Sequence, residues 1–292
     1  MKFALYLPNL GPYADPRTLA NLAHDAENAG WDGFFIWDHI AREFLIEVVD
    51  PWVSLAAIAM STEKMTIGAL VTPLPRRRPW MLAKETAALD HLSGGRLIFG
   101  AGLGTGRPVE WANFGEEIDP RVRGVMLDEG LDILSGLWSG QPFRYEGAYY
   151  QVEESQFLPP TRQQPRIPIW VAGYWPNKAP MRRAARWDGV FPLEKGNALG
   201  IAPLETFKGV VEYVSDQRAA LGLAGPFEFV HRGTSAGDRT QAIETAAQFA
   251  EAGATWWVEH MAPTMFGADW LDEWPVAQMH ELVLQGPPRI AS

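Results

Sequence analysis

Residues 65–104 read MTIGALVTPLPRRRPWMLAKETAALDHLSGGRLIFGAGLG, and their pattern predicts a strand, a helix and a second strand. Two apolar runs, residues 65–71 and 96–101, are too short for helices. They also lack the alternation of polar and apolar residues that marks a strand with one solvent-exposed face. A continuous apolar run is instead typical of buried parallel strands. A helix is predicted between them at residues 79–92, which start with proline and are followed by Ser-Gly-Gly. The segment is therefore a βαβ unit.

The same alternation of strand and helix patterns continues on both sides of this unit and gives eight strand and helix pairs. Further strands are predicted at residues 3–7, 33–37, 167–172, 189–191, 227–231 and 255–259, and further helices at residues 16–29, 51–61, 123–138, 178–186, 203–221 and 239–252. Eight βα units in one chain predict an α/β fold, a TIM (β/α)8 barrel that forms a single domain over residues 1–292. Residues 141–166 predict a small hairpin insertion after helix four, and residues 270–284 predict a C-terminal helix.

An open doubly wound sheet is the alternative fold. Its glycine fingerprint is expected at the first βα turn, where residues 8–12 read PNLGP. The later cluster Gly100, Gly102, Gly104 and Gly106 follows a strand but leads into a loop, so no helix start is there to bind a pyrophosphate. We interpret the cluster either as backbone that closely approaches a flat ligand or as a tight turn that needs positive φ.

Composition narrows the classes of function. The formal net charge of −10 argues against nonspecific nucleic-acid binding, and the absence of cysteine excludes disulfides, thiolate nucleophiles and cysteine metal sites. The chain enters a predicted strand at once and has no apolar run long enough to span a bilayer, so we expect neither a signal peptide nor a membrane partner. The cytoplasm is the expected compartment.

Ligands of parallel βα folds bind at the carboxyl ends of the strands, which directs attention to residues 72–78, 102–110 and 173–178. The last of these, GYWPNK, follows a predicted strand and opens a predicted helix. Free backbone N–H groups and the helix dipole favour an anion at such a position, and Lys178 adds a positive charge. This segment is a candidate phosphate site; the alternative is that Gly173 only makes a compact turn.

Four motifs resemble the luciferase-like flavin oxidoreductases, a TIM-barrel family that includes bacterial luciferase and enzymes that use the deazaflavin F420. They are AENAGWDGFFIWDH at residues 26–39, LDHLSGGRL at residues 89–97, Glu110 with Phe114-Gly115, and PIWVAG at residues 168–173. They occur in the family's order over the first two thirds of the chain. The resemblance implies a noncovalent cofactor, FMN or F420, with its ring across the carboxyl ends of the strands and its phosphate near residues 173–178.

The resemblance also implies roles for individual residues. His39 and Glu110 are the expected catalytic residues, since a histidine can donate a proton near neutral pH. A structural Asp38–His39 pair and a solvated loop acid at Glu110 are the alternatives. A cis peptide bond between Ala69 and Leu70 is expected to press a bulge of the third strand against the ring. The expected cofactor-binding residues are Asn9, Ala69, Leu70, Thr72, Gly102, Gly104, Gly173, Tyr174, Trp175 and Lys178, and no metal ligand is expected.

Two positions depart from relatives whose reactions are known. Leu103 stands where luciferases have an arginine that contacts the flavin phosphate, and Thr105 stands where sugar-phosphate dehydrogenases have a catalytic glutamate. Neither light emission nor glucose-6-phosphate oxidation therefore carries over. FMN is preferred over F420 because the small residue Ala69 precedes the expected bulge. The run Arg76 to Arg78 is interpreted either as a contact for the anionic tail of F420 or as a solvated loop.

Three functions compete. The leading one is an FMN- or F420-dependent oxidoreductase or monooxygenase that acts on an unidentified small organic substrate by hydride transfer or oxygen insertion. The second is a non-catalytic flavin-binding protein. The third is a metal-dependent hydrolase that uses His39, His231, His260 and Glu259, although residues 5–9 lack the His-x-His pair that such enzymes commonly need.

The resemblance implies partners as well. Besides the small-molecule substrate, these are a flavin or F420 reductase and a second copy of the chain, bound through helices two and three to form a homodimer. The loops expected to select the substrate are residues 38–50, 106–120 and 194–202.

Overall fold

The computed structural model describes residues 1–196 and 200–289 and shows a closed barrel of eight parallel strands with a separate two-stranded hairpin. The strands are β1 (Lys2–Leu7), β2 (Gly33–Ile36), β3 (Thr66–Pro73), β4 (Leu97–Gly102), β5 (Phe143–Glu146), β6 (Gln151–Ser155), β7 (Ile169–Trp175), β8 (Gly189–Glu194), β9 (Glu228–Gly233) and β10 (Trp256–His260). Around the barrel the order is β1, β10, β9, β8, β7, β4, β3 and β2. The predicted TIM barrel is confirmed.

The helices are α1 (Pro16–Asn28), α2 (Pro51–Ser61), α3 (Pro79–Leu92), α4 (Pro120–Trp138), α5 (Lys178–Ala185), α6 (Leu204–Ala220), α7 (Arg239–Glu251) and α8 (Val276–Gln285). Proline begins each of the first four, and the preceding Asp15, Asp50 and Asp119 accept hydrogen bonds from first-turn backbone N–H groups. None of the helices in the described ranges is long and apolar enough to cross a membrane.

The C-terminal helix is shorter than predicted. It begins at Val276 rather than at residue 270, and Pro275 immediately precedes it. A proline at that position disfavours helical backbone in the residue before it, so the apolar residues from Trp270 onward form a loop instead. That loop crosses the carboxyl end of the barrel, where Trp270 contacts Trp37 at a ring distance of 5.6 Å.

Strand residues divide between two apolar cores because successive side chains point to opposite faces. On β10, Trp256 and Val258 fill the barrel interior, whereas Trp257 packs between the sheet and the helices. The interior also holds Phe35, Trp170 and other large side chains, so the barrel is filled up to its carboxyl end. Any ligand must therefore bind above this layer.

The contact between β3 and β4 is unusually close. A Cβ built on Gly100 would lie 2.2 Å from the carbonyl oxygen of Ala69, and one on Gly68 would lie 2.3 Å from the carbonyl oxygen of Ile98. The register is regular up to Ala69 and shifts before Thr72. Glycine at positions 68 and 100 lets the two backbones approach directly below the site.

The non-proline cis peptide bond lies between Leu70 and Val71, so the expected bond between Ala69 and Leu70 is wrong by one residue. Ala69 still pairs with Phe99 in the regular ladder, and pairing resumes at Thr72 with Ala101. The irregular residues are therefore the two between them.

The predicted hairpin insertion is present as β5 and β6, which pair antiparallel. Glu129 on α4 secures its turn, because its carboxylate accepts hydrogen bonds from the backbone N–H groups of Ala148, Tyr149 and Tyr150 at 2.7 to 3.0 Å. One buried side chain of α4 thus anchors the hairpin turn, and Tyr150 in addition packs edge-on against Trp80 of α3.

Candidate active site

A cavity of about 820 Å³ lies at the carboxyl ends of the barrel strands. Its lining includes Tyr6, Trp37, Asp38, His39, Arg42, Leu70, Val71, Gly102, Gly104, Glu110, Arg123, Gly173, Tyr174, Phe191, Arg232 and His260. A second groove of about 970 Å³ lies beside it at residues 11–12, 45–47 and 270–277. The described residues of that groove include acids but no histidine or arginine, so the candidate site is the first cavity.

His39 and Glu110 are hydrogen-bonded at the wall of this cavity. Nδ1 of His39 lies 3.0 Å and 3.1 Å from the two carboxylate oxygens of Glu110. The His39 side chain is 13% exposed, whereas that of Glu110 is 2% exposed. With Nδ1 donating to Glu110, the tautomer of a neutral His39 leaves Nε2 as an acceptor for a ligand. The structure thus brings the two predicted catalytic residues together.

Glu110 is held as a carboxylate. Burial alone would raise its pKa, but the hydrogen bond and charge of His39, the backbone N–H of Ile40 and the charge of Arg76 together lower the pKa to about 2. The N–H of Ile40 lies 2.9 Å from Oε1, and Nη1 of Arg76 lies 3.3 Å from the same oxygen. The alternative of a solvated loop acid at Glu110 is therefore wrong, because its carboxylate is enclosed by donors.

Asp38 does not pair with His39. Its buried carboxylate receives one hydrogen bond from Arg76 at 3.1 Å and bidentate bonds from Arg77 at 2.9 to 3.1 Å. Arg76 also donates to the backbone oxygen of Asp38 at 3.0 Å. Arg76 and Arg77 therefore form neither a solvated loop nor a free contact for the tail of F420, since Asp38 already binds their guanidinium groups. The pair instead fixes the loop after β2 against the loop after β3.

Asn9 was expected to bind the cofactor but is absent from the cavity lining. It is fully buried, and its side-chain amide donates to the carbonyl oxygens of His39 at 2.9 Å and Val49 at 2.6 Å. Its Oδ1 accepts from the N–H of His39 at 3.2 Å. All of these bonds go to backbone, so Asn9 holds both ends of the loop that carries His39.

The bulge of β3 presents Leu70 and Val71 to the cavity, whereas Ala69 and Thr72 do not line it. Ala69 packs in the core between sheet and helices, and Thr72 is fully buried with no hydrogen-bond partner for its hydroxyl. Gly102, at the end of β4, and Gly104, in the loop after it, both line the cavity. A Cβ on Gly102 would lie 2.6 Å from the side chain of Val71, so glycine leaves room for the bulge.

The turn after β7 contributes only part of the predicted phosphate site. Gly173 and Tyr174 line the cavity, but Trp175 and Lys178 do not. The ammonium of Lys178 lies 3.5 Å from the ring centroid of Trp175 and 4.1 Å from that of Tyr213, so it is directed to an aromatic pair outside the cavity.

Three arginines that the sequence analysis missed line this end of the cavity beside Asn177. They are Arg121 and Arg123, from the first turn of α4, and Arg183 of α5. Arg183 is paired with Asp128 at 2.8 Å, whereas Nε of Arg123 is buried and has no hydrogen-bond partner. The sequence did contain a signal for Arg121 and Arg123. A helix of a TIM barrel starts at the end of the barrel where the preceding strand finishes, so arginines in its first turn lie near the site.

The opposite wall is aromatic and contains His260. Its ring stacks on Trp37 at 5.7 Å and lies 5.8 Å from the ring of Tyr6. Burial, reinforced by the nearby charge of Arg232, lowers the pKa of His260 to about 3, so its imidazole is neutral at physiological pH. Arg232 donates to the Tyr6 hydroxyl at 3.3 Å.

The residues proposed for a hydrolytic metal do not converge. His231 does not line the cavity and stacks on Phe249 at 3.6 Å, and Glu259 accepts from Trp257 and from the backbone N–H of Ser235. The side chains of His231 and Glu259 point out of the barrel, whereas those of Val230 and Val258 beside them fill its interior. Across residues 1–196 and 200–289, no group of three metal-ligating side chains is close enough to hold an ion.

Comparison with known proteins agrees with this architecture. The family model for luciferase-like monooxygenases matches residues 1–253. The chain is 29% identical over 174 residues to an F420-dependent glucose-6-phosphate dehydrogenase of Microbacterium testaceum, covering 55% of this chain and 48% of that protein. It is 28% identical over 184 residues to the oxygenase component of a flavin-dependent trigonelline monooxygenase of Acinetobacter baylyi, covering 61% and 50%. The chain thus spans about half the length of these curated relatives.

Solved structures give the same result over more of the chain. The monooxygenase RslO1 from Streptomyces bottropensis superposes with a TM-score of 0.68 and 27% identity, covering 86% of this chain and 77% of that one. The F420-dependent tetrahydromethanopterin reductase from Methanopyrus kandleri has a TM-score of 0.73 at 16% identity, covering 98% of each chain. At that identity the second likeness shows a shared fold.

Proposed function

Because the chain belongs to the luciferase-like monooxygenase family, we propose that it is an oxidoreductase that binds FMN or F420 in the cavity above the barrel. In this proposal it acts on a small organic molecule held beside His39. Relatives named for F420 and for flavin both occur, so the family supports either cofactor. When bound, either cofactor would supply hydride transfer, and FMN would in addition supply oxygen activation.

The residues present fit such a group. Several polar atoms of cavity-lining side chains are buried without a hydrogen-bond partner: Nε1 of Trp37, Nε of Arg123, Nδ1 of His260 and the hydroxyl of Thr264. Buried polar groups are normally paired, so this set supports a polar ligand that completes their hydrogen bonds. Leu70 and Val71 of the bulge provide an apolar wall for one face of its ring.

The observation that carries the proposal is the His39–Glu110 pair on the cavity wall. Glu110 stays ionised, accepts from Nδ1 and so orients the imidazole. Nε2 is then the nitrogen that would exchange a proton with the substrate. A flavin-binding protein without catalysis would have no need for a buried charge committed to a histidine.

We propose FMN as the cofactor. The cationic end of the cavity has Arg121, Arg123 and Arg183, but Asp128 already neutralises Arg183. The remaining positive charge matches one phosphate better than the polyanionic tail of F420. Absorbance titration of the purified protein with each cofactor tests this choice, and we expect saturable binding with FMN favoured at least about tenfold. Saturable binding of neither cofactor would contradict the proposed function itself.

Replacing His39 by Gln tests the proton-transfer role. We expect kcat to fall by about 10²- to 10⁴-fold, on the first substrate that a screen with reduced cofactor identifies, with little change in cofactor affinity. His91→Gln is the matched control, because His91 binds the carbonyl of Pro160 far from the cavity. Equal activity of His39→Gln and wild type would assign the pair a structural role.

A further inference from the structure

Two arginines form a second cationic group in the cavity, separate from the one at α4 and α5. Arg42 lies in the loop after β2, and Arg107 lies in the loop after β4; both line the cavity, as does His39. The guanidinium of Arg42 lies over the rings of Phe44 and Trp270, at 5.0 Å and 5.2 Å from their centroids. An arginine held between aromatic faces has a defined position for a planar partner.

One nearby carboxylate, Glu43, acts on both side chains. It pairs with Arg107 at 2.5 Å, whereas Glu110 is engaged by His39 and Arg76. Arg42 forms no ion pair within the described ranges. Burial and the charge of Arg107 lower the pKa of Arg42, and the charges of Glu43 and Glu110 oppose this shift. Two guanidinium groups therefore share one close carboxylate.

Their hydrogen bonds are also incomplete. The Nε atoms of Arg42 and Arg107 are both buried, and neither has a hydrogen-bond partner. A buried donor without a partner is costly, and an arginine fork matches the two oxygens of a carboxylate or phosphate. One oxyanion between the two arginines would accept from both Nε donors and add a second negative charge beside two guanidinium groups.

We propose that Arg42 and Arg107 bind an oxyanion of the substrate, so that the enzyme acts on organic acids whose carboxylate or phosphate is fixed beside His39. This inference rests on the proposed function only in taking the anion as part of the substrate. Trp37 and Trp270 also line this part of the cavity and suit an aromatic or otherwise flat body. In this proposal the cofactor phosphate is assigned to Arg121, Arg123 and Arg183.

The test is calorimetric titration of the protein with three probes: benzoate, its neutral analogue benzamide, and inorganic phosphate. Each titration is done with cofactor-free and with cofactor-loaded protein. The variants are Arg42→Gln and Arg107→Gln, with Arg144→Gln as the matched control, because Arg144 is an exposed arginine of the hairpin that does not line the cavity. Circular dichroism and thermal melting verify that each variant folds. Arg42→Lys keeps the positive charge but removes the two-point guanidinium fork, so it separates these two contributions to binding.

We expect benzoate or phosphate to bind saturably, benzamide not to, and each of the two test variants to weaken binding by about ten- to hundredfold. Arg144→Gln should leave anion affinity unchanged within about twofold. Tighter binding of benzoate identifies a carboxylate, and tighter binding of phosphate identifies a phosphate ester. Equal affinity in wild type and Arg42→Gln, or no anion binding at millimolar concentration, would overturn the inference.

Cofactor loading distinguishes the two proposals. If loading abolishes anion binding, Arg42 and Arg107 hold the cofactor phosphate and the inference is wrong. If neither cofactor binds, the proposed function fails, yet the titrations of the cofactor-free protein still decide whether this pair is an anion site.

Discussion

At the scale of single residues, the most consequential group is Glu110, whose charge is set by its surroundings. Its pKa is about 2 in the folded chain and 4.5 for an ordinary glutamate. Because the pKa is depressed in the folded chain, the carboxylate stabilises the fold at pH values above the pKa of the unfolded state. This stabilisation is lost as pH falls from about 4.5 towards 2. The shift corresponds to about 3 kcal/mol at neutral pH.

Glu110→Gln should therefore lower the free energy of unfolding at pH 7 by up to about 3 kcal/mol. The deficit relative to wild type should shrink below pH 4.5, because the wild-type carboxylate then becomes protonated. Urea unfolding at a series of pH values measures this. Glu43→Gln, at an exposed carboxylate, is the control and should show a much smaller deficit. A deficit for Glu110→Gln that does not change with pH would indicate a packing effect instead.

At the scale of elements, β3 and β4 depend on glycine for their close contact. Gly100→Ala would place a Cβ 2.2 Å from the carbonyl oxygen of Ala69, which neither strand can avoid without moving backbone. We expect destabilisation by about 3 kcal/mol or failure to fold. Gly225→Ala is the control, since nothing lies within 4 Å of its Cβ and its φ is not positive; it should change stability by less than about 0.5 kcal/mol. Thermal unfolding compares the two.

The hairpin β5–β6 provides a second test at this scale. Glu129→Ala removes the acceptor of three backbone N–H groups at residues 148–150. Loss of charged hydrogen bonds should cost about 1 to 3 kcal/mol locally, so amide hydrogen exchange in the hairpin should accelerate while the barrel strands stay protected. Glu153→Ala is the control, because within the described part of the chain its ion pairing is limited to a long contact of 3.8 Å with Arg144. Unchanged exchange in Glu129→Ala would show that other contacts hold the hairpin.

Comparing elements shows what sequence patterns can predict. The limits of α2 and α3 are as predicted because proline starts both and a polar or glycine-rich stop follows. The cis bond was placed one residue early, because only the pairing of β3 with β4 shows which residues leave the ladder. Asn9 and Trp175 were assigned to the cofactor by the resemblance, and Lys178 also by its charge at a helix start; no local pattern indicates that their side chains are used elsewhere.

Within the candidate site, the sequence predicted the two partners His39 and Glu110 but not the contact between them. They are 71 positions apart and lie in the segments after β2 and β4, two strands that flank β3 in the barrel. The ion pairs of Asp38 with Arg76 and Arg77 were missed for the same reason. Contacts of this kind depend on how loops from different strands meet, which periodicity does not encode. Substrate selection by the loops at residues 38–50, 106–120 and 194–202 stays a prediction, and residues 197–199 lie outside the described residues.

At the scale of the whole molecule, we propose that the chain forms the homodimer expected from the resemblance. Val53 and Met60 on α2 and Met81 on α3 are large apolar side chains that are mostly exposed. Met60→Glu should shift the mass measured by light scattering from twice the chain mass to the chain mass, because it would bury a charge at the contact. Leu221→Glu, at an exposed leucine after α6, is the control and should remain dimeric. A monomeric wild type would refute the proposal.

The loop between β2 and α2 is fastened to the rest of the barrel at both ends. Residues 38–40 are tied to Arg76, Arg77, Glu110 and Asn9, while residues 47–49 bond to the backbone or side chain of residues 9–11. Between these points Leu45 is fully exposed, and Arg42 and Glu43 contact Trp270 and Arg107 through their side chains. Under the proposed function, the anchored start of the loop would hold the residue that exchanges a proton, and its middle would hold the arginine that binds the substrate. We expect substitutions in the middle of the loop to change substrate choice without moving His39.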